Sequence, residues 1–466
     1  MMMNEEYDYD FYIGKYNYAD ATYYEETFFD VLINCALPSV QSILLILLRL
    51  ICINLCFGVL LSLFLDKLPK QLFHVLSGVC GIYLILTLGS LQGKVVILIL
   101  FGLSYIFLEF TLIIQRYIYP VLHPLLCSSN LVKYALIGFS ILCQYKLLDQ
   151  ETWMEIRGIV MIFSMKMISL VDDIERGFLL IPSFTEFFGY VFSGSNILFG
   201  PWMSFQDYIL IYLQPTKKNT AWVLSIVKNV VISLFFLIVS NCMATYFIPD
   251  GSNVLLLSYR EALSFRTSHY FISFISEASV LAAGFKHATI WNKENEWSYS
   301  VTDPIKIEFP TALSIVVTYW NKPMHDFLKK YVYRAWLPLG RFPAILLTFC
   351  VSSFLHGFEP KVSVVLLSLG VFSYLQYAVR DFISRAFDMC VRVFPCNREC
   401  RHKYKRNDIR TRSLQIFFCI TTVLHLIFLG VLMDPSTDDI GILEKWRSLY
   451  FYSIWIMFVD LLILFL

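Results

Sequence analysis

Residues 342–360 read FPAILLTFCVSSFLHGFEP, an apolar run that carries one histidine and stops at a Gly-Phe-Glu-Pro break. On a helix, Thr348, Ser352 and His356 fall at i, i+4 and i+8 and share a face, while Leu347, Phe349, Val351, Phe354 and Leu355 cover most of the rest. A polar stripe ending in an imidazole on an otherwise apolar span faces a bundle interior or a wet cavity rather than lipid. A second apolar run, 361–379, follows the break, and basic sequence flanks the pair. Upstream, 322–341 places Lys322, Lys329, Lys330, Arg334 and Arg341 among Phe327, Tyr331, Tyr333 and Trp336, the pattern of a helix lying along a membrane interface. Downstream, 380–412 holds ten Lys or Arg against four acids. Basic loops stay in the cytosol, so both ends of this hairpin are expected there. The break then lies toward the lumen, with His356 deep in the membrane near that side and Asn321 opening the cytosolic-side segment.

The rest of the chain agrees with lipid as the solvent. Of its 466 residues 57% are hydrophobic and 16% charged, against about 45–50% and about 25% in soluble domains. Apolar blocks recur at 41–65, 73–89, 95–114, 134–149, 157–171, 178–199, 222–248, 311–320, 342–358, 361–379, 415–433 and 449–466. With about 20 residues needed per crossing, the expectation is an all-α multi-pass membrane protein of ten or eleven transmembrane helices. Short blocks such as 311–320 would be re-entrant or interfacial. Residues 1–40 form an acidic, Tyr-rich N-terminal tail with eight carboxylates by residue 30, and 41–466 is a single transmembrane domain. The tail lacks the basic-then-apolar order of a cleavable signal, so a later segment is expected to direct insertion. Past the 415–433 span, Asp434, Asp438, Asp439 and Glu444 make an acidic loop that suits the lumenal side. A net charge of +1 gives no reason to expect nucleic acid as a partner.

Most of the twelve cysteines are single residues inside apolar stretches, as at Cys52, Cys56, Cys80 and Cys143. They read as small buried hydrophobes, and no disulfide framework is expected. Cys396, Cys400 and His402 cluster in the basic loop, at a spacing that suits zinc only if a fourth ligand such as Cys390 joins. S-acylation is a competing use of such cysteines, and no metal site is assigned.

His356 carries the chemistry that the pattern supports best. A neutral imidazole can take a proton from an attacking hydroxyl; the plainer alternative is a structural histidine bonded to a serine or a carbonyl. In Thr318-Tyr319-Trp320-Asn321-Lys322-Pro323, the Asn321 amide can donate to a developing oxyanion or simply cap the helix that starts at Pro323. Neither residue is decisive alone.

Together they are. Thr318-Tyr319-Trp320-Asn321 followed by Phe354-Leu355-His356-Gly357-Phe358 resembles the asparagine and histidine signatures of the membrane-bound O-acyltransferases. Arg157-Gly158, Met161, Met165-Lys166, Asp172, Glu186-Phe187, Gly189-Tyr190, Phe199-Gly200-Pro201-Trp202 and Ser273 to Ala278 extend the likeness in order, over about 150 to 433. The resemblance implies helices enclosing a tunnel in the endoplasmic reticulum membrane. It also implies protein-serine O-palmitoleoyl transfer from acyl-CoA, expected to be palmitoleoyl-CoA, to a serine of secreted Wnt proteins. His356 then corresponds to the family's catalytic histidine and Asn321 to its asparagine. Trp320, Ser352, Ser353 and Trp202 are expected to contact substrate. Acyl-CoA is a co-substrate, no other cofactor is implied, and membrane lipids are the remaining partners. Two competing functions stay open: acylation of a lipid or sterol hydroxyl on the same fold, and a transporter that uses His356 and Asn321 to bind its cargo.

Overall fold

The computed structural model describes residues 27–64, 67–113, 128–213, 218–285, 299–357, 359–394, 396, 400–433 and 440–465. Most of the acidic tail and the acidic loop residues Asp434, Asp438 and Asp439 lie outside them, as does Phe358.

Helices dominate the described residues, and the only β-type pairing among them is one isolated bridge between Met389 and Tyr404. The longer helices are α1 (Leu37–Leu63), α2 (Lys70–Leu86), α3 (Leu91–Ile113), α4 (Ser128–Leu142), α5 (Gln150–Glu175), α6 (Phe184–Val191), α7 (Phe205–Leu213), α8 (Thr220–Ile238) and α9 (Val254–Ala282). They continue with α10 (Pro304–Glu308), α11 (Leu313–Trp320), α12 (Lys322–Leu328), α13 (Arg341–Leu355), α14 (Pro360–Ala386), α15 (Ile409–Gly430), α16 (Ile442–Ser448) and α17 (Tyr452–Phe465).

Among the described residues, five stretches are long and apolar enough to cross a membrane: Phe28–Leu63, Leu91–Phe110, Thr220–Phe247, Pro360–Ala386 and Ile409–Met433. A sixth follows if α16 and α17, bent by 82°, count as one span. The sequence blocks that raise the expectation to ten or eleven are short or interrupted. Residues 157–171 fall inside α5, whose Lys166, Asp172 and Asp173 are buried in protein. Residues 178–199 break into α6 and a run of turns. The short 311–320 block is the eight-residue α11.

Long α9 is the spine of the fold, packing on α8, α15 and α1. Its neighbours are fixed by polar groups that the bilayer cannot satisfy. The Trp222 indole donates to the Leu281 carbonyl at 2.7 Å, and Asn54 Nδ2 reaches Ser279 Oγ at 3.0 Å and the Gly194 carbonyl at 3.2 Å. Arg266 makes a two-pronged pair with Glu308, at 2.8 and 2.9 Å, and Tyr270 donates to the same carboxylate at 2.7 Å. This anchors α10 to α9.

Two readings of the cysteines change. A disulfide joins Cys35 to Cys242, 207 residues apart, and ties the N-terminal approach to α1 to the segment after α8. Cys35 precedes the first apolar block and Cys242 lies alone inside the 222–248 block, so nothing in the linear pattern pairs them. Cys52 and Cys56 are exposed on α1 rather than buried.

The basic segment after Asn321 is helical through α12 and two further turns to Trp336. It docks on α5 through Asp173, which accepts from Lys330 at 3.0 Å and from the Tyr331 hydroxyl at 2.8 Å. Part of the second basic stretch is also committed to the fold. Arg380 is buried, donating to the Val391 carbonyl at 2.9 Å and the Thr311 carbonyl at 2.6 Å, with its guanidinium over the Phe418 ring. It is not a free surface charge.

Candidate active site

The turn that presents Trp202 is built around a buried ammonium. Lys166 Nζ, on α5, donates to the Tyr190 carbonyl at 2.8 Å, the Val191 carbonyl at 3.0 Å and Asn196 Oδ1 at 2.8 Å. Two of those acceptors are the last carbonyls of α6, where a cation is favoured by orphan C=O groups and the helix dipole. With its three protons taken, the ammonium supports the 193–203 turns. Tyr190 adds a bond from its hydroxyl to the Met203 carbonyl at 2.8 Å. Trp202 is thereby aimed inward: its Nε1 donates to Ser169 Oγ at 3.2 Å, and its indole meets the Phe327 and Tyr331 rings edge-on.

Asn321 sits at the junction of α11 and α12. Its Oδ1 accepts the Met324 N–H at 3.0 Å, capping α12. The capping alternative raised by the sequence is therefore realised. It uses only the oxygen, and the Nδ2 donor has no partner among the described residues. The junction is held from behind by Glu277 of α9, which accepts from the Val301 and Thr302 amides at 2.6 and 3.4 Å. In turn the Val301 carbonyl accepts the Lys322 amide at 2.8 Å, and Thr302 Oγ1 donates to the Tyr319 carbonyl at 3.1 Å.

Trp202 and Asn321 meet at one cavity of ≈ 50 Å³, lined also by Met161, Ile162, Met165, Phe199, Pro201, His269, Ile272, Ser273, Ser276, Val301 and Met324. That is room for a few water molecules, so an acyl chain requires the walls to part. A cavity residue that the local sequence motifs do not single out is His269. Its imidazole stacks on Trp320, with ring centroids 4.3 Å apart, and its Nε2 bonds the Trp320 carbonyl at 2.9 Å. A carbonyl can only accept, so Nε2 carries the proton and neutral His269 keeps Nδ1 as an acceptor. The signal for it lay in its place four residues before Ser273 and eight before Glu277 on one helix, the face that turns toward Asn321.

His356 ends α13. Its amide donates to the Ser352 carbonyl at 3.2 Å, and Gly357 follows with φ +90°, its amide on the Phe354 carbonyl at 3.0 Å. The glycine is required twice over. The left-handed φ favours it, and a Cβ there would lie 2.8 Å from the Trp153 ring. The next turn is tethered by Glu359, 3.3 Å from Arg157. The His356 side chain is half-buried and forms no side-chain hydrogen bond among the described residues. It does not line the ≈ 50 Å³ cavity.

Of the four substrate contacts expected from the sequence, Trp202 lines the cavity and Trp320 backs it through His269. Ser352 is buried one turn before His356. Ser353 faces the other way, sharing a hydrogen bond with Ser363 at 2.5 Å across the α13–α14 contact. Its hydroxyl serves helix packing.

The described residues form a helical membrane bundle with a half-buried His-Gly helix end and a Trp-Asn helix junction beside a small cavity. The membrane-bound O-acyltransferase family model matches residues 143–405, and the chain belongs to that family. Among curated relatives, the protein-serine O-palmitoleoyltransferase porcupine of Anopheles gambiae is 31% identical, over 91% of this chain and 91% of its own length. The mouse protein of the same name is 31% identical over 94% and 98%, and the human one 32% identical over 71% and 76%.

Proposed function

We propose that this protein is a protein-serine O-palmitoleoyltransferase of the endoplasmic reticulum membrane, moving a monounsaturated acyl group from palmitoleoyl-CoA to a serine of a secreted Wnt protein. The observation that carries the reading is the reach of the similarity: relatives bearing that activity in their names align with more than nine-tenths of this chain. The site supplies matching chemistry. His356 takes the proton of the acceptor serine as its oxygen attacks the thioester carbonyl, and returns it to the departing coenzyme A thiolate. The Asn321 Nδ2 group, unused by the cap, donates to the carbonyl oxygen as negative charge builds there. His269 holds the Trp320-Asn321 backbone and so sets the direction of that amide.

Access from two sides fits the geometry. At about 1.5 Å per residue, α13 rises about 22 Å, less than the about 30 Å of a hydrocarbon core. A helix that starts at a cytosolic interface therefore brings His356 to a depth still inside the membrane. The disulfide supports the same orientation. Ser240 and Ser264 bond each other near Cys242, and Gly430 at the end of α15 packs on Ala262. The disulfide thus shares a side with the C-terminal end of α15, away from the basic segment before Ile409. Disulfides persist in the oxidising lumen and basic loops in the cytosol.

The test is transfer by the purified, reconstituted protein from labelled palmitoleoyl-CoA to a Wnt-derived hairpin peptide, its Ser-to-Ala version, a sterol and a lysophospholipid. Label on the serine peptide alone supports the reading. Label on the sterol or lysophospholipid with none on the peptide overturns it.

A further inference from the structure

The loop between α14 and α15 brings four soft ligands together. Cys390, Cys396, Cys400 and His402 place their three sulfurs and one ring nitrogen all within 4.8 Å of one another. Cys390 Sγ lies 3.7 Å from Cys396 Sγ, and His402 Nδ1 lies 3.4 Å from Cys396 Sγ and 3.3 Å from Cys400 Sγ. Around a zinc ion with Zn–S of about 2.3 Å and Zn–N of about 2.0 Å, a regular tetrahedron has S···S edges of about 3.8 Å and S···N edges of about 3.5 Å. The three distances match those edges to about 0.2 Å.

Backbone and neighbouring groups hold the ligands in place. Cys390 N–H donates to the Tyr404 carbonyl at 2.9 Å and Tyr404 N–H to the Asp388 carbonyl at 3.1 Å, which sets the first ligand beside the last. The Asp388 carboxylate accepts the Lys403 amide at 2.9 Å. His402 turns Nδ1 into the cluster, and its Nε2 meets the buried Ser384 Oγ at 3.1 Å. Metal-bound histidines characteristically donate the opposite ring N–H to such a partner, which fixes tautomer and ring plane. The nearby Arg380 guanidinium is already satisfied by carbonyls.

We propose that Cys390, Cys396, Cys400 and His402 form a Cys3His structural zinc site. All four positions are filled by protein, as in closed structural sites rather than catalytic ones that keep a position open. The site cinches the loop, whose Met389 and Val391 pack on Val379 and Phe418, to the end of α14. Its role is separate from the acyl-transfer chemistry, and it stands whether or not the acceptor is a Wnt protein.

Full-length protein, purified without added metal or chelator, is to be assayed for metal content by mass spectrometry, alongside Cys396→Ser, Cys400→Ser and Cys419→Ser. Roughly one zinc per chain is expected in the wild type and in Cys419→Ser, falling at least fivefold in the two ligand variants. Should a ligand variant fail to fold, maleimide labelling of wild-type Cys390, Cys396 and Cys400 gives the answer: slow as purified and fast after chelation. Cobalt(II) exchanged into the wild type should show the visible bands of a tetrahedral thiolate complex. Less than about a tenth of an equivalent of zinc together with chelator-independent labelling overturns the proposal, as does an acyl group or a disulfide found on these cysteines.

Discussion

The imidazole of His269 lies flat against the indole of Trp320, planes 8° apart, while its Nε2 is hydrogen-bonded to the carbonyl of that same residue at 2.9 Å. One side chain of α9 thus fixes both the ring and the backbone of the residue before Asn321. Geometry rather than proton transfer is what His269 contributes, because its protonated nitrogen is already committed.

His269→Phe keeps a flat ring for the stack and loses the bond to Trp320. The acyl-transfer rate should fall on the order of tenfold to a hundredfold, since small displacements of positioned groups cost about that much. Expression and thermal stability should stay close to wild type. A rate within about twofold of wild type would mean that stacking alone aligns Asn321.

Lys166→Met tests the support beneath Trp202. The variant strips three acceptors, the carbonyls of Tyr190 and Val191 and the Asn196 side chain, of their shared donor. Leaving buried acceptors unpaired costs about 1–3 kcal/mol each, so the unfolding midpoint in detergent should drop by several degrees. Adding Asn196→Leu should recover part of the loss by removing one orphaned acceptor.

Gly357→Ala confronts both a left-handed backbone and the Trp153 ring. Strain of about 1–3 kcal/mol is expected from the backbone, with activity lost because His356 is displaced. In Gly357→Ala combined with Trp153→Leu the steric part is relieved and the φ cost stays. Partial, not full, recovery of activity is the expected outcome.

Arg266→Gln removes one half of a buried bidentate pair and leaves the Glu308 carboxylate with only Tyr270. Breaking such a pair costs about 3–5 kcal/mol. Loss of folded protein should be larger than for substitution of exposed Arg385, whose partner Asp381 also pairs with Arg392.

Local signals account for what the sequence revealed. The i, i+4, i+8 stripe ending in His356 and the proline after Asn321 each impose a geometry within a few residues, and the structure has both a helix end at His356 and a cap at Asn321. The amphipathic basic pattern likewise marked the segment after Lys322 as helix. Pairings over long separations left no such trace: Cys35 with Cys242, and His269 under Trp320. Ser353 illustrates the opposite case. Beside Ser352 in sequence it points about 100° away on the helix, into α14 instead of toward the stripe. The expectation of ten or eleven spans stands beside the five or six that length and composition mark among the described residues, and α5, apolar by block counting, buries Lys166 and Asp173 in protein.

The account rests on the His356 imidazole as the base in acyl transfer. The most direct measurement is the single-turnover rate of label transfer from palmitoleoyl-CoA to the serine peptide by His356→Ala, with protein shown intact by gel filtration and thermal unfolding. Removal of a general base costs about 10²- to 10⁴-fold, and a loss in that range with unchanged stability is the predicted result. A well-folded His356→Ala protein that transfers label at a rate near wild type would contradict the account.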